Sequence, residues 1–482
     1  MPTPVRSRAD ACPGVLSPHD AADGALARIR LPGGVVTAAQ LHAVADVADS
    51  LGDGAVHLTS RGNLQLRGLD RDDPALVRAL AGAGLLPSFA HEKVRNVLAS
   101  PASGITGGLA DVRGLAGALD RALCARPGLA QLPGRFLFAI DDGRGDVAAE
   151  RPDLCWAATG ADAGSLVVAG TDTGLRCAPA NAPGLLLDAA EAFLDLRAEH
   201  ADDPGTRAWR TAELPDAAAR IAAVLRDRST HSPRVEPVDP STASLPRTSR
   251  HDGPPDQNVT PDDAPAGLPR RASRDGGAHD RNVTPDAART GPLRRASRCG
   301  GSPDPNVTPD GDAARWARAG AGPGAVGALG VGAVGAAPVL GELSAADARL
   351  LADLAPDAVV TPWRTILLPD PHDAADALDR LRTAGLVVDP GSPALRVSAC
   401  AGRPGCAKSL SDVRTHARGL VAAGAVGPVH VVGCDRRCGA PHTPHADAVA
   451  VDDAHYTVDG VTVPVSALAA SLHTDDLEES TR

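Results

Sequence analysis

The chain carries one unit twice. From Thr37, "TAAQLHAVADVADSLGDGAVHLTSRGNLQLRGL" opens on a residue able to cap a helix, continues as an amphipathic helical stretch and ends in two alternating β-rich runs. From Ser344, "SAADARLLADLAPDAVVTPWRTILLPD" repeats that order. The match continues downstream, where "EKVRNVLASP" aligns with "PALRVSACAG" and "GLADVRGLAGAL" with "SLSDVRTHARGL". Arg95 and Arg396, Asp111 and Asp412, and Arg113 and Arg414 are each 301 residues apart. A duplication of this kind restricts the fold more than composition does. It predicts two helix–strand–strand modules, each followed by an α/β module, in an α+β protein.

The copies differ in their cysteines. Only the second holds "CAGRPGC", with Cys400 and Cys406, and "GCDRRCG", with Cys434 and Cys438. At the 301-residue offset the first copy has Ala99 and Ile105 opposite Cys400 and Cys406. Four thiolates on two tight loops suit zinc or an iron–sulfur cluster. Structural zinc favours gaps of roughly two to four residues, so the wider C-x5-C gap favours a polynuclear centre. Glycine in both loops, with proline in the first, lets backbone N–H groups approach cluster sulfides. The strand pattern of "PVHVVGC" places Cys434 at a strand end, and a helix is expected to begin near Ser409. Cys12, Cys124, Cys155 and Cys177 lack partner spacing.

Together these features resemble the nitrite/sulfite reductase superfamily, in which C-x5-C…C-x3-C binds a 4Fe-4S cluster at the end of a duplicated chain. The first half adds Thr59, Arg61, Asn63, Leu64 and Gln65 as "T-x-R-x-N-L-Q", and Arg95, Asn96 and Val97 as "R-N-V". Within the superfamily, "ACPG" at Ala11 to Gly14, "TSRGNLQLRGL" and "TPWRTILLP" are most similar to precorrin-3B synthases, the oxygen-dependent enzymes of aerobic cobalamin synthesis. The resemblance implies duplicated ferredoxin-like half-domains pairing pseudo-symmetrically, with two α/β modules, the second carrying the cluster. The expected boundaries are 1–90 for the N-terminal signature and first half-domain, 91–227 for the first α/β module, 228–320 for a linker, 321–388 for the second half-domain and 389–482 for the cluster module.

The resemblance also implies a site. Precorrin-3A is a metal-free tetrapyrrole ringed by carboxylates, and arginine offers them planar donors that stay charged. Arg61, Asn63, Gln65, Arg95, Arg135 and Arg364 are the expected substrate contacts. Cys400, Cys406, Cys434 and Cys438 are the expected cluster ligands. The implied reaction hydroxylates a ring-junction carbon and closes a γ-lactone, with O2 activated at a mononuclear non-haem iron. Electrons would come from NADH through a separate reductase and the cluster. The alternative is a sirohaem-dependent sulfite or nitrite reductase, in which Cys438 would bridge cluster and haem iron. Arg135 falls where sulfite reductases place paired lysines, and Leu137 at the companion position departs from that pattern. "PHTPHAD" offers His442, His445 and Asp447 in the composition of a two-His-one-carboxylate iron site, although it reads first as a polar loop. A zinc-stabilised or tetrapyrrole-binding scaffold protein is the non-enzymatic reading.

The remaining signals exclude more than they assign. "NVTPD" recurs at Asn258, Asn282 and Asn306, each 24 residues apart, in a segment too polar to bury a face. It reads as a disordered linker that also holds Cys299. A net charge of −11 argues against general nucleic-acid binding. No apolar run suits a membrane helix and the first residues lack a signal-peptide core, so a cytoplasmic protein is expected. "GPGAVG" at Gly322 lacks the preceding strand that a dinucleotide fingerprint requires.

Overall fold

Alternation of side chains across a strand decides which face of the first sheet is core and which is free for chemistry. The first module comprises β1 (His19–Ala21), β2 (Gly24–Ile29), β3 (Val35–Thr37), α1 (Ala38–Leu51), β4 (Ala55–Leu58), β5 (Leu64–Leu69) and α2 (Pro74–Gly82). Ala25, Ala27, Ile29, Leu64 and Leu66 point into a core shared with Leu41, Val44 and Ala48 of α1. Leu26, Arg28, Gln65 and Arg67 occupy the intervening positions. The computed structural model describes residues 12–199, 208–231, 325–425 and 427–472, side chains at 229–231 and 331 excepted. The 24-residue repeats, Cys299 and the "GPG" of Gly322 lie outside the described residues.

The first α/β module follows as β6 (Val97–Ala99), α3 (Leu115–Cys124), β7 (Phe138–Asp141), β8 (Leu154–Gly160), β9 (Ala163–Val168), β10 (Thr171–Cys177), α4 (Ala182–Ala198) and α5 (Ala217–His231). α5 runs through the expected boundary at residue 227. The second copy gives β11 (Gly327–Ala328), β12 (Val334–Ala336), β13 (Glu342–Ser344), α6 (Ala345–Leu354), β14 (Asp357–Val360), β15 (Ile366–Leu368) and α7 (Ala374–Thr383). It closes with β16 (Val397–Ala399), α8 (Val413–Ala422), β17 (Val429–Val432), β18 (Ala446–Ala450), β19 (His455–Val458), β20 (Val461–Pro464) and α9 (Leu468–Ser471). Among the described residues no helix is long and apolar enough to cross a membrane.

The two half-domain sheets exchange a strand. One sheet is ordered β1-β2-β5-β4-β13 and the other β11-β12-β15-β14-β3. Leu343 of β13 lies opposite Val56 of β4, and Val36 of β3 lies opposite Ala358 of β14. The contiguous ranges 1–90 and 321–388 therefore do not each contain a whole sheet. The crossing requires a glycine. Gly34 has φ +76°, and a Cβ there would sit 2.0 Å from the Val360 carbonyl oxygen.

Both helices that follow the exchanged strands begin as the sequence predicts. Thr37 Oγ1 accepts the Gln40 N–H while Gln40 Oε1 accepts the Thr37 N–H, and Ser344 and Asp347 repeat this capping box. Thr37→Ala is expected to cost about 1 kcal/mol. It should lower the urea midpoint and leave the slope of the transition unchanged.

The α/β modules share one topology, three parallel strands followed by two antiparallel ones: β6-β7-β8-β9-β10 and β16-β17-β18-β19-β20. Their registers correct the alignment by one residue. Val97 pairs with Phe138 and Val397 with Val429, so Ser100 rather than Ala99 is the counterpart of Cys400. Ser100 N–H donates to Ile140 O (3.1 Å) as Cys400 N–H does to Val431 O (3.0 Å). The side chains agree: Asp142 N–H donates to Ser100 Oγ (3.0 Å), and Gly433 N–H approaches Cys400 Sγ (3.4 Å). The extra residue is absorbed before Leu109 and Leu410, which donate to Asp142 O and Gly433 O respectively. α8 begins at Val413 with Asp412 as its cap, not near Ser409. Ser409 stays in the loop, its N–H on Cys406 O and its Oγ on Ser411 O.

Candidate active-site cleft

The face of the first sheet that α1 leaves uncovered looks across a cleft of about 1200 Å³ toward both cysteine loops. All four cysteines line it, as do Arg28 and Gln65 on one side and Arg414 and Arg418 of α8 on the other. β17 ends at Val432 and so delivers Cys434, as its strand pattern predicts. Among the described residues, three metal-type side chains have ligand atoms mutually within 4.8 Å only at Asp141, Asp142 and Asp146. The cysteine sulfurs are thus spread wider than a mononuclear tetrahedral site, where Zn–S bonds of about 2.3 Å would hold them. That spacing and the Gly433 N–H aimed at Cys400 Sγ fit a polynuclear iron–sulfur centre.

Surrounding residues hold the loops. Arg67 Nε and Nη2 each donate to Asp23 at 2.9 Å, and Nη2 also reaches Gly405 O at 2.6 Å, tying the first half-domain to the Cys400–Cys406 loop. His430 is fully buried; its Nε2 donates to Cys438 O (3.2 Å) and its Nδ1 accepts from Ser398 Oγ (2.9 Å). Burial, with Arg364 and His445 nearby, lowers its pKa to about 4, so the ring stays neutral and keeps this tautomer. The exchanged strand β13 brings Glu342 into the cleft, where it pairs with Arg414 and with Arg418 (3.0 Å).

The six expected substrate contacts divide evenly. Gln65, Arg135 and Arg364 line the cleft. Gln65 Oε1 accepts from Arg28 Nη2 at 3.4 Å, and Arg135 lies over the Trp209 ring at 5.6 Å. Arg364 Nη2 donates to Gly439 O at 2.9 Å, beside Cys438. The other three sit elsewhere. Asn63 is 1% exposed and its Oδ1 accepts the Leu31 N–H, so it braces the strand rather than facing the cleft. Arg95 is 4% exposed and clamps Asp120 of α3 through Nε (2.7 Å) and Nη2 (2.8 Å), with Nη1 on Leu85 O. Arg61 lies just outside the lining, near Arg28 and Arg210. Burial and those cations lower its pKa to about 10. Leu137 is buried in a small core with Leu98 and Ala139.

The two histidines and the aspartate of "PHTPHAD" do not converge, in keeping with the polar-loop reading. His445 Nε2 lies 3.4 Å from Asp447, but His442 turns away to Glu150 (3.8 Å). These residues do not fit a mononuclear iron site. The Asp141, Asp142 and Asp146 group, for its part, is already satisfied. Asp142 pairs with Arg144 at 2.6 Å, Asp141 accepts from Gly143 and Gly145, and Asp146 accepts from Ser100 Oγ. It occupies, in the first copy, the strand end where the second copy has its cysteines.

Sequence reasoning missed Arg28, Arg30, Arg67, Arg414 and Arg418. Arg28 Nε and Arg30 Nε are buried without a hydrogen-bond partner among the described residues. Burial and mutual repulsion bring the Arg30 pKa down to about 9. The signal was present: arginine at alternate positions of an apolar strand, "ALARIRL" and "LQLRGL", marks the face that is not core.

Residues 19–83 match the nitrite/sulfite reductase ferredoxin-like half domain. A ferredoxin–nitrite reductase of Synechococcus elongatus is 36% identical over 140 residues, 27% of each chain. A precorrin-3B synthase of a Sinorhizobium species is 33% identical over 143 residues, 29% of this chain and 30% of that one. Each alignment therefore spans less than a third of the curated relative. The solved Mycobacterium tuberculosis NirA protein shares the fold, with a TM-score of 0.61 and 19% identity over 97% of this chain and 83% of that one. The likeness to precorrin-3B synthase and to nitrite reductase thus rests on sequence over part of the chain, and the fold is that of the NirA protein.

Proposed function

We propose that this chain, whose residues 19–83 belong with the nitrite/sulfite reductase ferredoxin-like half domains, is an oxygenase of the precorrin-3B synthase kind. It would bind a metal-free, carboxylate-rich tetrapyrrole in the cleft and hydroxylate it. The observation that carries this reading is one cleft lined by four cysteines and by arginines from both halves. Cys400, Cys406, Cys434 and Cys438 would hold a 4Fe-4S cluster, which supplies one-electron transfer when bound. Arg28, Arg135 and Arg364, which line the cleft, are the donors for substrate carboxylates. Gln65 orients Arg28, and His430 fixes the Cys438 carbonyl. NADH, through a separate reductase, would be the electron donor. In this reading the exchanged strands relate the halves by a pseudo-twofold, with the cleft between them.

A sirohaem-dependent nitrite or sulfite reductase is the second reading, favoured by the 36% identity to a nitrite reductase. Against it stands Leu137, whose buried side chain puts no cation into the cleft from the start of β7. Anaerobic purification followed by iron and sulfide analysis and turnover of precorrin-3A under labelled O2 separates the readings. The expected result is an iron–sulfur spectrum without haem bands and a product carrying one labelled oxygen. Chlorin-type haem bands with nitrite or sulfite reduction would move the assignment to the reductase. One zinc per chain without sulfide would sink both.

A further inference from the structure

Beside the cleft lies a smaller chamber of about 290 Å³, walled mainly by apolar side chains such as Pro338, Trp363 and Val429. The two spaces share Ser60, Leu340, Arg364 and Gly439 as a common wall. Glu150 projects into the chamber with its side chain 11% exposed, and His442 Nε2 lies 3.8 Å from Glu150 Oε2 with its own ring half-exposed to solvent. Trp363 lines the same chamber and favours the ionised carboxyl. Nothing in the site described above uses this pair.

We propose that Glu150 and His442 are the proton-delivery pair of the cleft. This rests on the oxidoreductase reading above. Hydroxylation by O2 takes two electrons from the donor and two protons, places one oxygen atom on the substrate and releases the other as water. Reduction of nitrite also consumes protons. Glu150 gives up its carboxyl proton through the Ser60 wall toward an oxygen atom in the cleft and becomes a carboxylate. His442, which meets solvent, returns a proton to it.

The charges facing Glu150 are Arg151 and Arg364, with Arg396, His442 and His445 lining the chamber and Arg61 and Arg210 beyond His442. Burial outweighs Trp363 and the two arginines, raising the carboxyl to about 7. An acid so raised holds its proton below that pH and loses it as the pH rises through about 7. Burial and the nearby arginines lower the His442 pKa, so its ring is mostly neutral in the same range and can pass a proton without trapping it.

Substrate turnover by the wild-type holoprotein should therefore fall on the alkaline side of neutrality. Glu150→Gln should slow it about 10²- to 10⁴-fold and remove that limb, with iron content and tetrapyrrole binding unchanged. It should also delete a protonated-carboxyl infrared band from the neutral-pH spectrum. Trp363→Phe, which removes a contact favouring the ionised form, should move the limb to higher pH; a merely structural carboxyl would not respond in this way. Wild-type turnover that persists in Glu150→Gln with the same pH profile would overturn this inference alone. A wild-type protein that turns over neither tetrapyrrole nor nitrite would overturn the oxidoreductase reading and this inference with it.

Discussion

Cys434→Ser, purified without oxygen, should contain almost no acid-labile sulfide, and its iron and broad visible absorption should fall to background. Four thiolates hold such a cluster together, and a serine at the end of β17 replaces a soft ligand with a hard, weakly acidic one. The loops themselves are braced from outside by Arg67 on Gly405 O and His430 on Cys438 O. The polypeptide should therefore fold and bind tetrapyrrole while losing all electron transfer. Cys155→Ser is the control. That thiol is fully buried in the first module, far along the chain from the loops, and its loss should leave iron and sulfide unchanged. Equal loss in both variants would show that the cysteines act through folding rather than through metal.

Arg95→Leu should destabilise the protein by about 3–5 kcal/mol, the usual cost of leaving one member of a buried ion pair without its partner. Asp120 would remain, mostly buried, at the face of α3 that Arg95 now clamps at 2.7 and 2.8 Å. The double variant Arg95→Leu, Asp120→Leu should recover most of that loss in thermal unfolding, because no charge is then stranded. Arg28→Leu should do the opposite. Its unpartnered Nε contributes little to the fold, so stability should hold while tetrapyrrole affinity falls by at least tenfold. A normal melting temperature for Arg95→Leu with lost substrate binding would restore Arg95 to the cleft.

These contrasts show what could be read from the chain alone. The duplicated helix–strand–strand units, both N-cap residues and the strand that delivers Cys434 were legible, because each is written in local chemistry. The strand exchange was not. Three-residue strands such as β3 and β13 carry too little pattern to reveal which sheet they join, and only Gly34 marks the crossing. The one-residue error at Cys400 has a related origin: a gap inside a loop leaves the flanking matches intact on either side. Arg95 was assigned to the cleft by motif, but a motif does not disclose that Asp120 lies within reach. Arg28 and Arg67 went unnoticed because strand arginines are common and only the direction of the sheet face distinguishes them.

The paired sheets also bear on how the molecule could come apart. Each half-domain borrows an edge strand from the other, so cleaving the backbone between His231 and Ala325 would not yield two independent proteins. Either fragment alone would expose an open sheet edge and the apolar face of α1 or α6, an invitation to aggregate. Together the fragments would behave as an obligate heterodimer. Its melting temperature would depend on concentration.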